Sequence, residues 1–177
     1  MSIFVNKIEA LDRFILSIVV ARRRVNLTYI MVAFTRLGDG YLWAVCGFLA
    51  FMVMPNGRIV FTHAVLAFTL ELSVYKLSKY FLPRLRPCDI LPNITKLIIP
   101  PDQHSFPSGH TAAAFVMVFL VGMYVPILLP AFLLLAAGIA ISRVYLGVHY
   151  PTDIAAGVLL GLSCGIVSQK LLAVVVV

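Results

Sequence analysis

Apolar stretches as long as a membrane-spanning helix, separated by short polar turns, occupy most of the chain. A helix needs about 20 apolar residues to cross the roughly 30 Å hydrocarbon core of a bilayer. The first of these stretches is shorter than this, so flanking residues should extend its helix. The pattern predicts an all-α, polytopic bundle of about five transmembrane helices. The predicted spans are residues 41–54, 59–81, 108–124, 127–145 and 152–167.

Two amphipathic segments, residues 3–20 and 26–36, precede these spans. Charged residues fall among the apolar ones in the first segment, and each would cost about 2–3 kcal/mol at the centre of a membrane. We therefore expect both segments to lie in the membrane interface. The same charges interrupt any signal-peptide core. The chain is thus predicted to be a single membrane-embedded domain, 1–177, with interfacial helices over 1–40 and a transmembrane core over 41–177.

Composition excludes the other broad classes of protein. Hydrophobic residues make up 62% of the chain and charged residues 12%, against roughly 45–50% and 25% in soluble domains. A chain of 177 residues has too little interior to bury so much apolar surface. The net charge is +7, and several of the basic residues fall at the ends of apolar spans. This placement indicates anionic lipid or phosphate as a partner and argues against nucleic acid.

Three polar motifs lie where the predicted topology places them on one face of the membrane. The second span ends on this face, the third begins there, the fourth ends there and the fifth begins there. Each motif alone is weak evidence of a functional site, because basic side chains at helix ends commonly extend to the lipid headgroups. Their conjunction is specific. The motifs are Lys79-x6-Arg86-Pro87, Pro107-Ser108-Gly109-His110 and Ser142-Arg143-x5-His149-x3-Asp153.

The cations of these motifs predict a bound phosphate. Lys79, Arg86 and Arg143 would repel one another in a small volume unless an anion lay among them. The planar fork of arginine suits tetrahedral oxyanions. Ser108 and Gly109 begin a helix, whose free N–H groups and dipole also favour an anion.

The two motif histidines supply reactive groups. His149 and Asp153 are four residues apart, so the carboxylate can accept a hydrogen bond from one ring nitrogen and leave the other as a nucleophile. His110 lies in the first turn of the third span, where it can protonate a departing oxygen. A nucleophile, an acid and a set of cations are the parts that phosphoryl transfer requires.

The three motifs resemble the signature of the type 2 phosphatidic acid phosphatase (PAP2) superfamily of membrane lipid phosphatases, over residues 79–153 and at every signature position. The resemblance implies a helical membrane bundle, with His149 as a nucleophile that forms a phosphohistidine, Asp153 as its orienting residue and His110 as the general acid. It implies a phosphorylated membrane lipid as the partner, without a metal, a cofactor or an obligatory protein partner. The implied phosphate-binding residues are Lys79, Arg86, Ser108, Gly109 and Arg143.

Lipid A 1-phosphate, undecaprenyl diphosphate, phosphatidylglycerophosphate and phosphatidic acid are all compatible substrates. Three other functions stay open on the sequence. A metal site could use His104, His110, His149 and Asp153, although the nearby cations disfavour a divalent ion. An intramembrane serine hydrolase could use Ser108, and a non-enzymatic protein could bind or transport a lipid phosphate.

The charge distribution and the superfamily resemblance indicate opposite orientations of the chain in the membrane. Basic residues of the N-terminal segments share the face of the motifs, which by the positive-inside rule would be cytoplasmic. The bacterial proteins that the chain resembles work on the periplasmic leaflet, and we favour a bacterial inner-membrane protein with a periplasmic site. Outside the motifs, His63 is predicted to hydrogen-bond between helices. Arg84 and Lys96 are expected to bind headgroups or face water, and the role of Glu71 stays open.

Overall fold

The computed structural model describes residues 2–100 and 102–175, and helices dominate the described chain. The predicted all-α fold is confirmed. The α-helices are α1 (Ser2–Ala21), α2 (Val25–Leu37), α3 (Tyr41–Val53), α4 (Gly57–Phe81), α5 (Pro87–Ile90), α6 (Gly109–Tyr124), α7 (Leu129–Tyr145) and α8 (Pro151–Val175), with a 3₁₀ turn at Pro126–Leu128 before α7.

Within the described residues, three helical segments are long and apolar enough to cross a membrane singly: α4, α8, and α7 with its preceding turn. Helices α2 and α3 qualify only as a pair bent by 50°, where the sequence predicted an interfacial helix followed by a separate span. Helix α6 is apolar but has 16 residues, or about 24 Å of helix. The structure therefore supports three or four full-length spans with α6 as a shorter helix among them, because several predicted stretches end at turns before reaching full length.

Helix α6 lies at the centre of the bundle and packs against α4, α7 and α8. Its closest approach is to α8, where glycine recurs every fourth residue. A Cβ atom added at Gly161 would lie 2.3 Å from the carbonyl oxygen of Ala112, and one at Gly157 would lie 2.7 Å from that of Ser108. Small residues at this spacing let two helix backbones come together in a membrane protein. The contact fixes the start of α6 beside the start of α8.

A buried histidine links three helices away from the motifs. His63 on α4 is fully buried, and its ring nitrogens lie 2.9 Å from the hydroxyl oxygens of Tyr124 on α6 and Ser168 on α8. The predicted interhelical hydrogen bond of His63 is confirmed. These bonds satisfy a buried ring that would otherwise be costly to desolvate.

Helix α1 packs against α7 and α8. Its Leu16 is fully buried, and so is Asp12, at 1% exposure. Although α1 is a charged, amphipathic segment, Asp12 points inward, where Arg84 and Thr152 satisfy its carboxylate. The interfacial position of residues 3–20 and 26–36 stays a prediction.

Candidate active site

The three motifs meet at one end of the bundle. A common volume is surrounded by four helix ends: the end of α4, the start of α6, the end of α7 and the start of α8. The starts of α6 and α8 are joined directly, since the backbone N–H of Ser108 donates to the carbonyl of Asp153 at 3.1 Å. Arg86, Ser108, Arg143, His149 and Asp153 are all at most 2% exposed. The fold therefore gathers polar side chains that lie up to 74 residues apart in sequence, from Lys79 to Asp153.

His149 is held by the tight turn between α7 and α8. Gly147 has φ +74°, and a Cβ atom there would lie 2.5 Å from Ile94. Glycine is the residue that adopts this conformation without strain. The backbone N–H groups of Val148 and His149 both donate to the carbonyl of Arg143, at 3.2 and 3.3 Å. This turn fixes where the imidazole enters the site.

The two ring nitrogens of His149 face different groups, and the buried Nδ1 makes no hydrogen bond within the described residues. Nε2 lies 3.2 Å from Nη1 of Arg86, and Nδ1 lies 3.5 Å from Oδ2 of Asp153. Arginine only donates, so the Arg86 contact favours the tautomer with Nε2 as acceptor and the proton on Nδ1, facing the carboxylate. Burial, and then the nearby cations Arg143 and Arg86, hold the pKa of His149 well below its ordinary value. The ring is thus neutral, with a lone pair on Nε2 directed at the cations.

Both carboxylate oxygens of Asp153 are fixed. Oδ2 accepts a 2.8 Å hydrogen bond from the backbone N–H of Tyr150, and Oδ1 accepts one of 2.8 Å from Nη1 of Arg84. The expectation that Arg84 binds headgroups or faces water is therefore wrong, because two buried carboxylates draw it inward. Lys96, in contrast, forms an exposed pair with Asp89 at 2.9 Å.

Lys79 and Arg86 already share an anion of the protein itself. Asp102 Oδ1 lies 2.6 Å from Lys79 Nζ and 2.7 Å from Arg86 Nη2, and Oδ2 accepts a 2.7 Å hydrogen bond from the Tyr75 hydroxyl. Burial alone would raise the pKa of Asp102. The hydrogen bonds from Lys79, Tyr75 and Arg86 outweigh it and hold that pKa below its ordinary value.

Arg143 has a different environment. Its Nη1 donates to the Thr35 hydroxyl on α2, and its buried Nε has no hydrogen-bond partner within residues 2–100 and 102–175. A buried guanidinium N–H without an acceptor is costly. Arg143 is thus the cation of the cluster best placed to gain from a bound anion.

Ser108 and Gly109 begin α6, as predicted. The Ser108 hydroxyl lies 2.9 Å from that of Thr111, and both are buried. A Cβ atom at Gly109 would lie 2.7 Å from the Tyr75 ring. The structure thus gives Gly109 a steric role beside Tyr75, in addition to the role in anion binding predicted from the sequence.

His110, in the first turn of α6, pairs with Asp39 from the turn between α2 and α3. Its Nε2 lies 2.8 Å from Asp39 Oδ1. This carboxylate can accept a hydrogen bond from the ring and so orient it. The break between α2 and α3 therefore brings an acidic partner to His110.

The sequence did not point to Asp12, Asp39 or Asp102 as parts of this site. A weak signal existed for two of them: Asp39 lies between two glycines, and Asp102 lies shortly before the Pro-Ser-Gly-His motif. As for metals, no group of three or more His, Cys, Asp or Glu side chains suited to a metal occurs in the part of the chain that the structure describes.

The model of the PAP2 superfamily matches residues 60–173, which include all three motifs. The chain belongs to this superfamily. Among PAP2 structures, it resembles Aquifex aeolicus LpxE, with a TM-score of 0.82 and 29% identity over 90% of this chain and 95% of that one. It also resembles a transmembrane PAP2-type phosphatidylglycerolphosphate phosphatase from Bacillus subtilis, with a TM-score of 0.75 and 27% identity over 94% and 86% of the two chains. The protein is a multi-pass helical membrane protein.

In sequence, the chain is 32% identical to an undecaprenyl-diphosphatase of Sulfolobus acidocaldarius over 77% of its own length and 66% of that protein. It is 38% identical to the bacitracin transport permease protein BcrC of Bacillus licheniformis over 60% of its length. The match covers 52% of BcrC, so the chain spans between about half and two thirds of these two relatives.

Proposed function

We propose that this protein is a metal-independent lipid phosphatase that hydrolyses a terminal phosphomonoester or diphosphate through a phosphohistidine on His149. One observation carries the proposal. The neutral imidazole directs Nε2 at Arg86, 3.2 Å away, while its other nitrogen faces the buried Asp153. A nucleophile aimed into a cluster of cations is suited to attack a phosphate and to little else.

In the first step, the Nε2 lone pair of His149 attacks phosphorus as the bond from phosphorus to the leaving oxygen breaks. His110 donates a proton to that oxygen, and Asp153 stabilises the positive charge that develops on the His149 ring. In the second step, His110 accepts a proton from water, whose oxygen attacks phosphorus. The P–N bond breaks, its electron pair returns to Nε2, and phosphate leaves.

The cations bind the phosphoryl oxygens throughout. Arg143 supplies its unpartnered Nε–H. Lys79 and Arg86, which belong to the first motif, supply positive charge. The N-terminus of α6, which follows Ser108, adds the backbone N–H groups of its first turn from Gly109 onward. Charge stabilisation of this kind contributes most of the catalysis in phosphoryl transfer.

The substrate class is a phosphorylated membrane lipid. Relatives named for undecaprenyl diphosphate, decaprenylphosphoryl-5-phosphoribose and phosphatidylglycerophosphate support this class. They differ in lipid and headgroup but share a phosphate ester or anhydride at the membrane surface.

Release of inorganic phosphate by the purified protein in detergent tests the function. The panel contains undecaprenyl diphosphate, phosphatidylglycerophosphate, phosphatidic acid and lipid A 1-phosphate, with a chelator present. We expect turnover of at least one substrate, lowered by about a thousandfold or more in His149→Ala. Binding without turnover would instead indicate a lipid-phosphate binder. Loss of activity in Ser108→Ala with retention in His149→Ala would indicate a serine hydrolase.

We further propose that the protein lies in the inner membrane of a bacterium with this site facing the periplasm, as the superfamily resemblance implies. Asn93 lies exposed in the loop of the site's face. With Cys88 replaced by serine, Asn93→Cys in intact cells should react with a membrane-impermeant thiol reagent. Labelling only after lysis would place the site in the cytoplasm.

A further inference from the structure

A chain of ion pairs extends from the proposed nucleophile to the N-terminal helix. Arg84 Nη1 donates to Asp153 Oδ1 at 2.8 Å, and Arg84 Nη2 donates to Asp12 Oδ2 at 2.7 Å. Asp153 and Asp12 are 0% and 1% exposed. One guanidinium on the loop after α4 therefore bridges two buried carboxylates from α8 and α1.

Asp12 also satisfies the first turn of α8. Its Oδ1 accepts a 3.0 Å hydrogen bond from the backbone N–H of Thr152, and its Oδ2 accepts the Thr152 hydroxyl. The first N–H groups of a helix have no partner within the helix. Here a side chain from α1 provides one, so α1 is tied to the helix end that carries Asp153.

Two further contacts hold the guanidinium of Arg84, whose side chain is 26% exposed. Its Cζ atom lies 3.9 Å from the centre of the Tyr150 ring, and Nη1 also donates to the Thr152 hydroxyl at 2.8 Å. Burial alone would lower the pKa of Arg84, but Asp12 and Asp153 outweigh it and raise that pKa. Arg84 is thus a positive charge whose position is set by contacts within the protein, which a headgroup-binding side chain would not need.

These contacts bear on the charge and the orientation of the Asp153 carboxylate. A buried carboxylate without a cation would take up a proton or rotate. Arg84 favours the charged form of Asp153 against its burial and occupies Oδ1, while the Tyr150 N–H occupies Oδ2 on the side of His149. The carboxylate then faces His149 Nδ1 in one orientation.

We propose that Arg84 and Asp12 are positioning residues for the nucleophile: they hold Asp153 ionised and oriented, and so fix the Nδ1–H tautomer of His149. The proposal rests on the proposed role of His149 and goes beyond it, because it makes α1 part of the catalytic unit. A purely structural role, in which the ion pairs only attach α1 to the bundle, is the competing explanation.

The test compares Arg84→Gln, Arg84→Lys and Asp12→Asn with wild type by phosphate release and by ¹⁵N spectra of histidine-labelled protein at pH 7.5. Arg13→Gln is the matched control, since Arg13 lies on α1 in an exposed pair with Glu9 at 4.0 Å. We expect Arg84→Gln to lower kcat by about ten- to a hundredfold with KM changed less than about twofold, as for loss of a residue that supports a catalytic one. Arg84→Lys should recover part of kcat, Asp12→Asn should lower it less, and Arg13→Gln should leave it unchanged.

The spectra report positioning independently of turnover. Wild type should show His149 as one neutral Nδ1–H tautomer, and Arg84→Gln should show a mixture of tautomers. A lower melting temperature with unchanged kcat and an unchanged His149 signal would overturn the proposal and leave only the structural role. Should Arg84→Gln fail to fold, the milder Asp12→Asn decides by the same two readouts. Failure of the proposed function itself would show differently, as activity that survives His149→Ala.

Discussion

Nη2 of Arg86 donates a 2.7 Å hydrogen bond to Oδ1 of Asp102. Lys79 reaches the same oxygen at 2.6 Å. One carboxylate of the protein thus pairs with two of the three cations that are proposed to bind the substrate phosphate. Substrate must either share these cations with Asp102 or displace it, so the charge of Asp102 bears on both stability and affinity.

Asp102→Asn keeps the shape of the side chain and removes its charge. We expect the variant to lose about 1–3 kcal/mol of stability without phosphate, as for hydrogen bonds to charged groups. Inorganic phosphate should bind about three- to tenfold more tightly, since it would then be the nearest anion to both cations. Melting temperature and the inhibition constant of phosphate measure the two effects. Asp89→Asn, in the exposed pair with Lys96, is the control; weaker phosphate inhibition in Asp102→Asn would contradict this prediction.

The same carboxylate predicts a pH dependence of stability. Folding lowers the pKa of Asp102, so its stabilising effect is complete above the ordinary aspartate pKa of about 4 and is lost as the pH falls through the lowered value. Wild type should therefore lose stability between about pH 5 and pH 3 more steeply than Asp102→Asn. Parallel melting curves for the two proteins over this range would show that Asp102 does not titrate as described.

His149 is expected to stay neutral below the ordinary histidine pKa of about 6.5, because burial and the neighbouring cations lower its pKa. The chain has four histidines, so a ¹⁵N titration with His149→Gln as the assignment control is feasible. The unfolded chain binds this proton more readily, so His149 also lowers stability as the pH falls below about 6.5. A His149 signal with a midpoint near 6.5 would be inconsistent with the buried, cation-facing ring.

Asp39 supports the proposed general acid, and its effect should depend on the leaving group. Asp39→Asn removes the carboxylate 2.8 Å from His110, and should lower turnover of a lipid phosphate by about tenfold, less than His110→Ala, since general acids contribute about 10²–10⁴-fold. With p-nitrophenyl phosphate, whose leaving group needs no proton, both variants should lose much less activity than with the lipid phosphate. Equal losses on the two substrates would argue against general-acid catalysis by His110.

Two glycines with positive φ offer a matched comparison. Gly147 has φ +74° with Ile94 only 2.5 Å from an added Cβ, whereas Gly40 has φ +92° with nothing within 4 Å. Gly40→Ala should cost about 1–2 kcal/mol from backbone strain alone. Gly147→Ala should cost more and should also lower activity, because the turn places His149. Equal melting temperatures would indicate that the turn relaxes around the new methyl group.

Much of this protein could be predicted along the chain itself. Helical segments follow from apolar stretches bounded by turn residues, and the single face of the motifs follows from counting crossings. His149 and Asp153 could be paired because four residues make about one helical turn. His63 could be assigned an interhelical bond because a buried ring in an apolar span needs partners.

Other features depend on contacts that no local pattern encodes. Asp12 is 141 residues from Asp153 in sequence, and its role follows only from the packing of α1 on α8. In the sequence, Asp102 has no feature that distinguishes it from other acidic loop residues. Its role follows from the loop conformation that places it against Lys79 and Arg86. Arg84 looked like a solvent-facing cation, and only the two carboxylates around it show otherwise.

The sequence by itself determined the class of the molecule and the kind of chemistry, because hydropathy and residue type act locally and survive any arrangement of the helices. The tertiary structure decided which acid pairs with which base. Side-chain charges interact strongly only within a few ångströms, and those distances are set by glycine-mediated packing of α6 on α8, by the bend between α2 and α3, and by the docking of α1. The partners of His110, Arg86 and Asp153 are therefore properties of the fold.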